Sequence, residues 1–447
     1  MKRILALLLV LATLFSLVAC SETEPFTTFE TVTAEAVTEE AKNQEKTEET
    51  KEDKSTGEIV YERADDPLTP QKLADIPIAN SSMTTDELRQ ICVRYIKLSV
   101  SFQWIPNQDF SYSETVLKTF DEGKLYGGIP YINTASGNLY RIMEYYDPET
   151  GILDCSFFAD SPRLFGTACS GTAGWAWSRV VNSAEISWTH SMNVKHGFVP
   201  VGPYQYDHSF DRVWSGSPGD PNNRMTLYSW KTVCKENGKQ VMYESYAETL
   251  PADCFSSNGH VRMSVEKPNV VRKEDGTIDG KKSTVILAEQ GLYNTGEKHK
   301  RTTSDGTVYQ IRGDDGSAFT FEELYKDGYV PHTFKEFLGT DPVEKGAVTT
   351  EQTSPTTTTN DLVRGKLISN YPISDVIVTV RDAAGAEKLR FVRRMENHFT
   401  REVELLKALP ITGYIQAYEA SGDHTITIEA QISTGEKLVA YSGTLVK

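Results

Sequence analysis

Positive charge is scarce in this sequence. Across 447 residues it has 46 Lys and Arg against 62 Asp and Glu, which gives a formal net charge of −16 at pH 7. Proteins that bind nucleic acid neutralise its phosphates with a basic face. The acidic surplus therefore excludes nucleic acid as an expected partner, and it argues against broad electrostatic adhesion to anionic lipid or teichoic acid.

Long apolar runs are also rare, and the one that stands out lies at the N-terminus. Two basic residues precede an apolar run from Ile4 to Phe15, which is shorter than the roughly 20 residues that a membrane-spanning helix needs. This pattern is typical of a secretory signal peptide, which we assign to residues 1–20. The segment ends in LVAC, which resembles the bacterial lipobox. That resemblance implies acylation of Cys20 and a lipid anchor on the extracytoplasmic face of the cell membrane.

The chain lacks both a dense cysteine framework and the spacings typical of metal sites. Its six cysteines include no CxxC pair, and its histidines form neither HxH nor HExxH. We therefore expect no metal and no other cofactor. With Cys20 lipidated, an odd number of cysteines remains, so at least one thiol is free in a monomer, which is the state we expect.

Composition divides the rest of the chain into two spacers and two folded regions. Residues 21–58 are rich in Thr, Glu and Lys and predict a disordered acidic spacer. Residues 346–361 form a Thr-rich linker. The folded regions are then residues 60–345 and residues 362–447.

The first folded region begins with helical patterns and continues with strand patterns. TTDELRQICVRYIKLSV has a capping box, Thr84 with Glu87, followed by apolar residues at helical spacing. SYSETVLKTFDEG predicts a second short helix. From about residue 225, short segments predict strands: RMTLYSWKTV, QVMYESYAET, HVRMSVEK, STVILAEQG and GTVYQIRG. Helices first and strands second predict an α+β domain with an antiparallel sheet.

The C-terminal region has the alternation of a small all-β domain. Its predicted strands are VRGKLIS, SDVIVTVRD, GYIQAYEA, HTITIEAQI and KLVAYSGTLV. That spacing predicts a β-sandwich, and the segment resembles a bacterial immunoglobulin-like module. It contains no cluster of Cys, His and acidic residues, which favours a role as a spacer or binding module.

The segment FGTACSGTAGWAWSRVV places Cys169 between a glycine-bounded turn and a run of small residues and tryptophans. If a helix begins near Cys169, its unpaired N–H groups and the positive end of its dipole favour the thiolate, which is the form that attacks a carbonyl. The competing interpretation is a structural thiol in the core. A nearby base, held by a third polar group, is what a nucleophile requires.

Two later segments supply both of these groups. His260 follows an SSNG turn and opens an alternating strand, so its side chain projects from a rigid strand end. STVILAEQG predicts the neighbouring antiparallel strand, reached through the hairpin KEDGTIDGKK. Because cross-strand side chains lie about 5 Å apart, Glu289 can accept a hydrogen bond from His260. Gln290 then points to the opposite face of the sheet.

The order of these residues resembles the papain-like NlpC-type and CHAP (cysteine, histidine-dependent amidohydrolase/peptidase) families over residues 120–295. CSGTAGWAWSRV is similar to the helix that carries the nucleophile in these families. LPAD followed by GHVRM is similar to their Pro-Gly-Asp turn and the histidine strand after it. ILAEQG is similar to the CHAP strand that carries the orienting glutamate. The resemblance implies a papain-like α+β fold in which Cys169 is the nucleophile, His260 the base and Glu289 its orienter.

Further site residues and two departures accompany this resemblance. YGGIPY resembles the element that precedes the nucleophile, which implies substrate contacts from Tyr126 or Tyr131. Trp188, in a loop-rich stretch, is a candidate either for lining the substrate groove or for aromatic packing. Ala252 stands where the families have glycine, and Ala168 stands where they often have aspartate.

Other cysteines are weaker candidates for the nucleophile. Cys155 lies in LDCSFF, where Asp-Cys-Ser also resembles the nucleophile motif, but the DSP that follows interrupts a helix. Cys92 lies on the apolar stripe of the first helix, and Cys254 lies in the turn region before His260. We expect both of these thiols to be structural.

Together these features predict a membrane-anchored extracellular cysteine peptidase or amidase with a Cys-His-Glu triad. The resemblance implies that its substrate, and hence its partner, is peptidoglycan or another cell-envelope polymer, cut at peptide amide bonds. Two alternatives stay open. One is a non-catalytic envelope-binding lipoprotein with a degenerate papain-like domain. The other is a hydrolase of the same fold that acts on a lipid ester or a small amide.

Overall fold

The structure is a computed structural model of the chain. It describes residues 68–112, 118–132, 137–156, 158, 165–184, 186, 192, 194–206, 213–215, 224–226, 230–257, 259–290, 300–303, 306–310, 313–351, 356–358, 365–395, 399–405 and 424–446. The signal peptide, Cys20, the acidic spacer 21–58 and Trp188 lie outside these residues, so the predictions made for them stay predictions.

Helices and strands alternate along the described chain. The helices are α1 (Pro70–Ala74), α2 (Thr85–Ser101), α3 (Leu139–Met143), α4 (Cys169–Trp177), α5 (Trp230–Asn237), α6 (Lys239–Ala247) and α7 (Phe321–Asp327), with single 3-10 turns at Val194–His196 and Glu336–Leu338. The strands are β1 (Gln103–Pro106), β2 (Phe110–Tyr112), β3 (Lys118–Phe120), β4 (Tyr126–Gly127), β5 (Ile152–Leu153), β6 (Val199–Pro200), β7 (Val213–Ser215), β8 (Arg224–Thr226), β9 (Cys254–Ser256), β10 (Val261–Ser264), β11 (Thr284–Gln290), β12 (Lys300–Thr303), β13 (Gly306–Gln310), β14 (Gly313–Thr320), β15 (Val330–Thr333), β16 (Val348–Thr350), β17 (Thr356–Thr358), β18 (Lys366–Ser369), β19 (Ile373–Arg381), β20 (Glu387–Arg394), β21 (Glu402–Glu404), β22 (His424–Ile432) and β23 (Lys437–Val446). Within the described ranges, no helix combines the length and the apolar character that crossing a membrane requires.

The chain divides into two compact units. The smaller combines residues 1–59 and 211–227, and its described part is the antiparallel hairpin β7–β8. The larger combines residues 60–210 and 228–447, and it contains every element discussed below.

The first long helix, α2, begins with the predicted capping box. The side chains of Thr84 and Glu87 each accept a hydrogen bond from the other residue's backbone N–H. Its apolar face, which includes Ile91 and Tyr95, is buried. The helix packs against α4 and against the edge of the main sheet at β11 and β14, so burial and capping together fix its position.

The main sheet has six strands in the order β14-β11-β10-β9-β15-β6, and its neighbouring strands are antiparallel. Both faces are covered. Val261, Met263 and Ala288 belong to the core that contains α4. Phe255 and Leu287 belong to a second core under α5, α6 and α7. The prediction that β10 and β11 are antiparallel neighbours is confirmed.

Two predicted elements of this region were wrong in type, and a third was correct only in its first residues. SYSETVLKTFDEG forms the hairpin β2–β3 at its described ends, where aromatic and β-branched residues suit strands. QVMYESYAET forms α6, because its buried residues Met242, Tyr243 and Tyr246 follow the helical period rather than the strand period. RMTLYSWKTV is divided between strand β8 and the start of α5.

The C-terminal region forms its own β-structure with its own core. A five-stranded sheet has the order β17-β23-β22-β19-β20, and a three-stranded sheet has the order β16-β18-β21. Buried residues from both sheets, such as Val378, Ile428 and Leu367, form one apolar cluster. Two strands, β16 and β17, lie in the stretch 346–361 that was predicted as a linker. The predicted strand GYIQAYEA lies outside the described residues. The structure is thus a mixture of helices and several sheets, and its papain-like and immunoglobulin-like assignments stay predictions.

Candidate active site

Cys169 is the first residue of α4, a helix whose nine residues are all buried. Ala168 precedes it in an extended conformation and provides no side-chain cap. The N–H groups of the first turn have no acceptor within the helix, and the helix dipole is positive there. The thiol therefore sits where negative charge is favoured, although Cys169 as a residue is only 4% exposed.

The YGGIPY segment lies beside the entry to α4. Tyr131 pairs with Thr167 in an isolated parallel bridge, and the Ile132 N–H donates to the Thr167 carbonyl at 3.1 Å. From β11, the Gln290 Nε2–H donates to the Ile129 carbonyl at 2.5 Å. Gln290 thus ties this segment to the main sheet, and the same segment pairs with Thr167, two residues before Cys169.

His260 lies at the start of β10, held by a tight turn. The Ser257 N–H donates to the His260 carbonyl at 2.9 Å, which closes the turn between β9 and β10. Because β10 is paired on both sides, with β9 and β11, this strand end is rigid. The imidazole is therefore presented by a fixed backbone rather than by a free loop.

Glu289 faces the histidine from the neighbouring strand. His260 Nε2 lies 2.5 Å from Glu289 Oε2. Nε2 thus faces the carboxylate, and Cys169 is near enough to the ring to raise the pKa of the imidazole. The structure thus brings together the three side chains that sequence and resemblance had singled out as nucleophile, base and orienter.

The pKa values of the histidine and the glutamate depart from their ordinary values in opposite directions. Burial lowers the pKa of His260, but hydrogen bonds and charge interactions with Cys169 and Glu289 outweigh it and raise the pKa to about 9. Burial raises the pKa of Glu289, but the imidazole and the Arg262 guanidinium outweigh it and lower the pKa to about 2. At neutral pH the pair is therefore an imidazolium held by a carboxylate.

Arg262 is a member of the site that the sequence did not reveal. It lies opposite Glu289 in the strand register, and its Nε–H donates to Glu289 Oε2 at 2.6 Å. Its guanidinium carbon lies 3.9 Å from the centre of the Phe319 ring and 4.4 Å from the centre of the Tyr329 ring. Stacked between two aromatic rings, the arginine holds the carboxylate in one position.

The turn before β9 is anchored to α2 by a buried ion pair. Arg89 Nη1 donates to Asp253 Oδ1 and to the Pro251 carbonyl, both at 2.7 Å. Ala252, between them, has a φ of 70°, in the left-handed region that favours glycine. The turn thus has the backbone conformation that a glycine would adopt without strain, at the position where the resembled families have one.

The predicted substrate-binding residues have different environments. Tyr131 lies beside the entry to α4, as described above. The Tyr126 hydroxyl accepts a hydrogen bond from the Asp121 N–H at 2.9 Å, and its ring packs against Trp104 and Phe120. Tyr126 therefore serves the aromatic core. Trp188 lies outside the described residues.

The other described cysteines are all buried and free of disulfides. Burial raises the pKa of Cys155 and of Cys234 to about 12, and it raises the pKa of Cys92 and Cys254 well above the ordinary thiol value. These thiols resist ionisation at neutral pH, so none of them is a competing nucleophile.

No family model, curated protein or solved structure matches the chain. Among the residues that the structure describes, no group of three His, Cys, Asp or Glu side chains is arranged to hold a metal ion. The chemistry of the site is therefore argued from its own geometry.

Proposed function

We propose that the protein is a cysteine peptidase or amidase that works on the outer side of the cell membrane. The observation that carries this proposal is the His260 imidazole, which is hydrogen-bonded to the Glu289 carboxylate and lies near enough to Cys169, at a helix N-terminus, for the cysteine to raise its pKa. A thiol, a base and an orienting carboxylate in this order are the parts of nucleophilic acyl transfer.

In the proposed reaction the proton of the Cys169 thiol resides on His260, which is an imidazolium at neutral pH. The sulfur attacks the amide carbonyl, and a tetrahedral oxyanion forms. His260 then gives its proton to the leaving amine, which leaves an acyl-thioester on Cys169. A water molecule, deprotonated by His260, hydrolyses the thioester and restores the free thiol.

Two features of the site stabilise the charged species. Glu289 stabilises the imidazolium and fixes the orientation of its ring. The backbone N–H of Cys169, at the first position of α4, is a donor for the oxyanion. A single oxyanion donor typically contributes about 3–4 kcal/mol to the transition state.

The proposed substrate is the peptide part of peptidoglycan. This step depends on the resemblance to the NlpC-type and CHAP families and on the secretory, lipobox-like N-terminus, which together favour an anchored enzyme of the cell wall. The chain's net charge of −16 is consistent with binding by specific contacts rather than by attraction to anionic polymers.

Digestion of purified wall material tests the proposal. Wild-type protein, Cys169→Ala and Cys254→Ala are incubated with peptidoglycan, and the released fragments are identified by mass spectrometry. Cys254→Ala is the matched control, because it removes a buried thiol from β9. We expect new amine termini with wild type and Cys254→Ala and none with Cys169→Ala.

Two outcomes contradict the proposal. Equal release by Cys169→Ala would exclude this cysteine as the nucleophile. Binding to wall material with no release by any variant would favour the non-catalytic envelope-binding alternative.

A further inference from the structure

Phe399, in the C-terminal region, packs directly on the nucleophile helix. Its ring centre lies 5.2 Å from that of Trp175 in α4. A Cβ on Gly174 would collide with the Phe399 ring, so the glycine provides the space that the ring occupies. The aromatic side chain and the helix are therefore in close contact through a position where only glycine fits.

The backbone of Phe399 is strained in a way that this contact explains. Its φ is 57°, in the left-handed region that a bulky residue rarely adopts. Such strain persists where the surrounding structure requires it, and it is common at functional positions. Here the strained backbone directs the ring toward the helix that carries Cys169.

The chain that follows α4 is also held by the C-terminal region. The Ser433 hydroxyl donates to the Ser178 carbonyl at 2.7 Å, and the Tyr371 hydroxyl lies 3.3 Å from the Val180 carbonyl. The Arg401 Nη2–H donates to the carbonyl of Asn182 at 3.0 Å. These contacts hold the segment that follows α4 against the C-terminal region.

A buried ion pair also joins the two regions. Arg141, in α3, is 0% exposed, and its Nη2 lies 3.0 Å from the Ser374 carbonyl and 3.3 Å from Asp375 Oδ1. The C-terminal region thus supplies both the carboxylate and a carbonyl acceptor for a guanidinium that water does not reach.

We propose that the C-terminal region is a fixed part of the catalytic unit and that Phe399 is a positioning residue for Cys169. This inference rests on the proposed function, and it replaces the expectation of a separate spacer or binding module. Because α4 begins at Cys169, a shift of the helix at Gly174 moves the sulfur relative to His260. Displacements of about 1 Å can reduce catalysis by as much as a hundredfold.

The test uses alkylation, which needs no knowledge of the substrate. Full-length wild type, Phe399→Ala and Phe391→Ala react with iodoacetamide at pH 6.5 and at pH 9, and peptide mass spectrometry follows labelling of Cys169. The rate at pH 6.5 divided by the rate at pH 9 measures the assistance from His260. A change in access to the thiol affects both rates equally, so it cancels in this ratio. Phe391→Ala is the matched control, because Phe391 packs against the core of the C-terminal region itself.

We expect Phe399→Ala to lower this ratio about tenfold or more, toward that of His260→Ala. Phe391→Ala should keep the wild-type ratio. A folded Phe399→Ala chain with the wild-type ratio would overturn the inference, as would an equal fall in Phe391→Ala. Thermal unfolding of each variant shows whether it is folded, and Phe399→Leu replaces Phe399→Ala if the latter is not.

A second pair of variants tests the contact from the helix side. Gly174→Ala adds a methyl group where the Phe399 ring lies, so this variant alone should lower the labelling ratio. In the double variant with Phe399→Ala the ring is absent, so the ratio should be partly restored. Independent, additive effects of the two changes would contradict a direct contact.

The two proposals can fail separately. Digestion of wall material by Cys169→Ala would contradict the proposed function. The labelling ratio would still measure the effect of Phe399 in that case. If Cys169→Ala does not digest wall material and Phe399→Ala keeps the wild-type labelling ratio, only the inference about Phe399 is contradicted. Absence of labelling in wild type at pH 6.5 would contradict both.

Discussion

Arg262 and Glu289 lie opposite each other on β10 and β11, and the arginine donates to the same carboxylate oxygen that faces His260. One oxygen, Oε2, is thus shared between a base and a fixed cation. A carboxylate held by two donors has less freedom to rotate than one held by the histidine alone. The candidate site therefore contains four residues rather than three: Cys169, His260, Glu289 and Arg262.

Replacing Arg262 should impair catalysis without removing any reacting group. Arg262→Gln loses the bond to Oε2 and the stacking on Phe319, so we expect kcat with peptidoglycan to fall roughly tenfold with little change in KM. Arg262→Lys should not restore the rate, because lysine lacks the planar fork. Arg272→Gln, which removes an exposed ion pair with Glu244, is the control. Full activity in Arg262→Gln would exclude a positioning role.

Neutralising Glu289 should lower the pKa of His260. In Glu289→Gln the imidazolium loses its carboxylate while burial, which favours the neutral ring, remains. We expect the pKa to fall from about 9 by roughly 1–3 pH units. NMR titration of the ring protons measures this value, with the exposed Glu244→Gln as control. An unchanged pKa would show that Cys169 alone accounts for the elevation.

Two histidines should give the free energy of unfolding a maximum near pH 6.5. Burial lowers the pKa of His332 from 6.5 to about 3, so the unfolded chain binds more protons between those values and stability falls as the pH falls. The pKa of His260 is raised to about 9, so the folded chain binds more protons above 6.5 and stability falls as the pH rises. Each proton contributes a slope of up to about 1.4 kcal/mol per pH unit.

Urea unfolding between pH 4.5 and pH 9 measures both limbs of this profile. His332→Phe should flatten the acid limb, and His260→Ala should flatten the alkaline limb. Glu289 adds to the acid slope only near and below its ordinary value of 4.5, because its lowered pKa gives stability that is lost as the pH falls toward 2. An acid limb that His332→Phe leaves unchanged would contradict this account.

Ala252 should tolerate glycine but not a β-branched residue. The left-handed conformation costs alanine roughly 1–2 kcal/mol. Glycine removes that strain but adds about 0.4–1 kcal/mol of unfolded-state entropy and loses a buried methyl worth about 0.8 kcal/mol. We therefore expect Ala252→Gly to change the free energy of unfolding by less than about 1 kcal/mol. Ala252→Val should lose more than about 2 kcal/mol, because a branched side chain fits this conformation badly. Equal stability of the two variants would contradict the reading of this turn.

The sequence was most informative where local signals agreed. The alternation in HVRMSVEK and STVILAEQG, with a hairpin between them, predicted two strands that the structure pairs directly. The capping box at Thr84 likewise predicted where α2 begins. In each case the residues that decide the structure are close in sequence, so a pattern can show them.

Prediction failed where residue composition favoured one element but the spacing of the buried residues required another. It also failed where the contacting residues are far apart in the sequence. The tyrosines and valine of α6 favour strands by type, but the buried positions Met242, Tyr243 and Tyr246 need a helix to reach one core. Arg262 was not predicted as part of the site, because its aromatic neighbours come from β14 and from the residue before β15. Arg141 and Asp375 are 234 residues apart, so no local pattern could join them.

The contact between Phe399 and Gly174 has a consequence for how this protein can evolve. Domains joined by a flexible linker can be exchanged by recombination, because each one brings its complete core. Here an incoming domain would have to supply a side chain that fills the groove at Gly174 and donors for the carbonyls after α4. The region that contains α4 and the C-terminal region should therefore be inherited together, and substitutions at their boundary should occur in matched pairs.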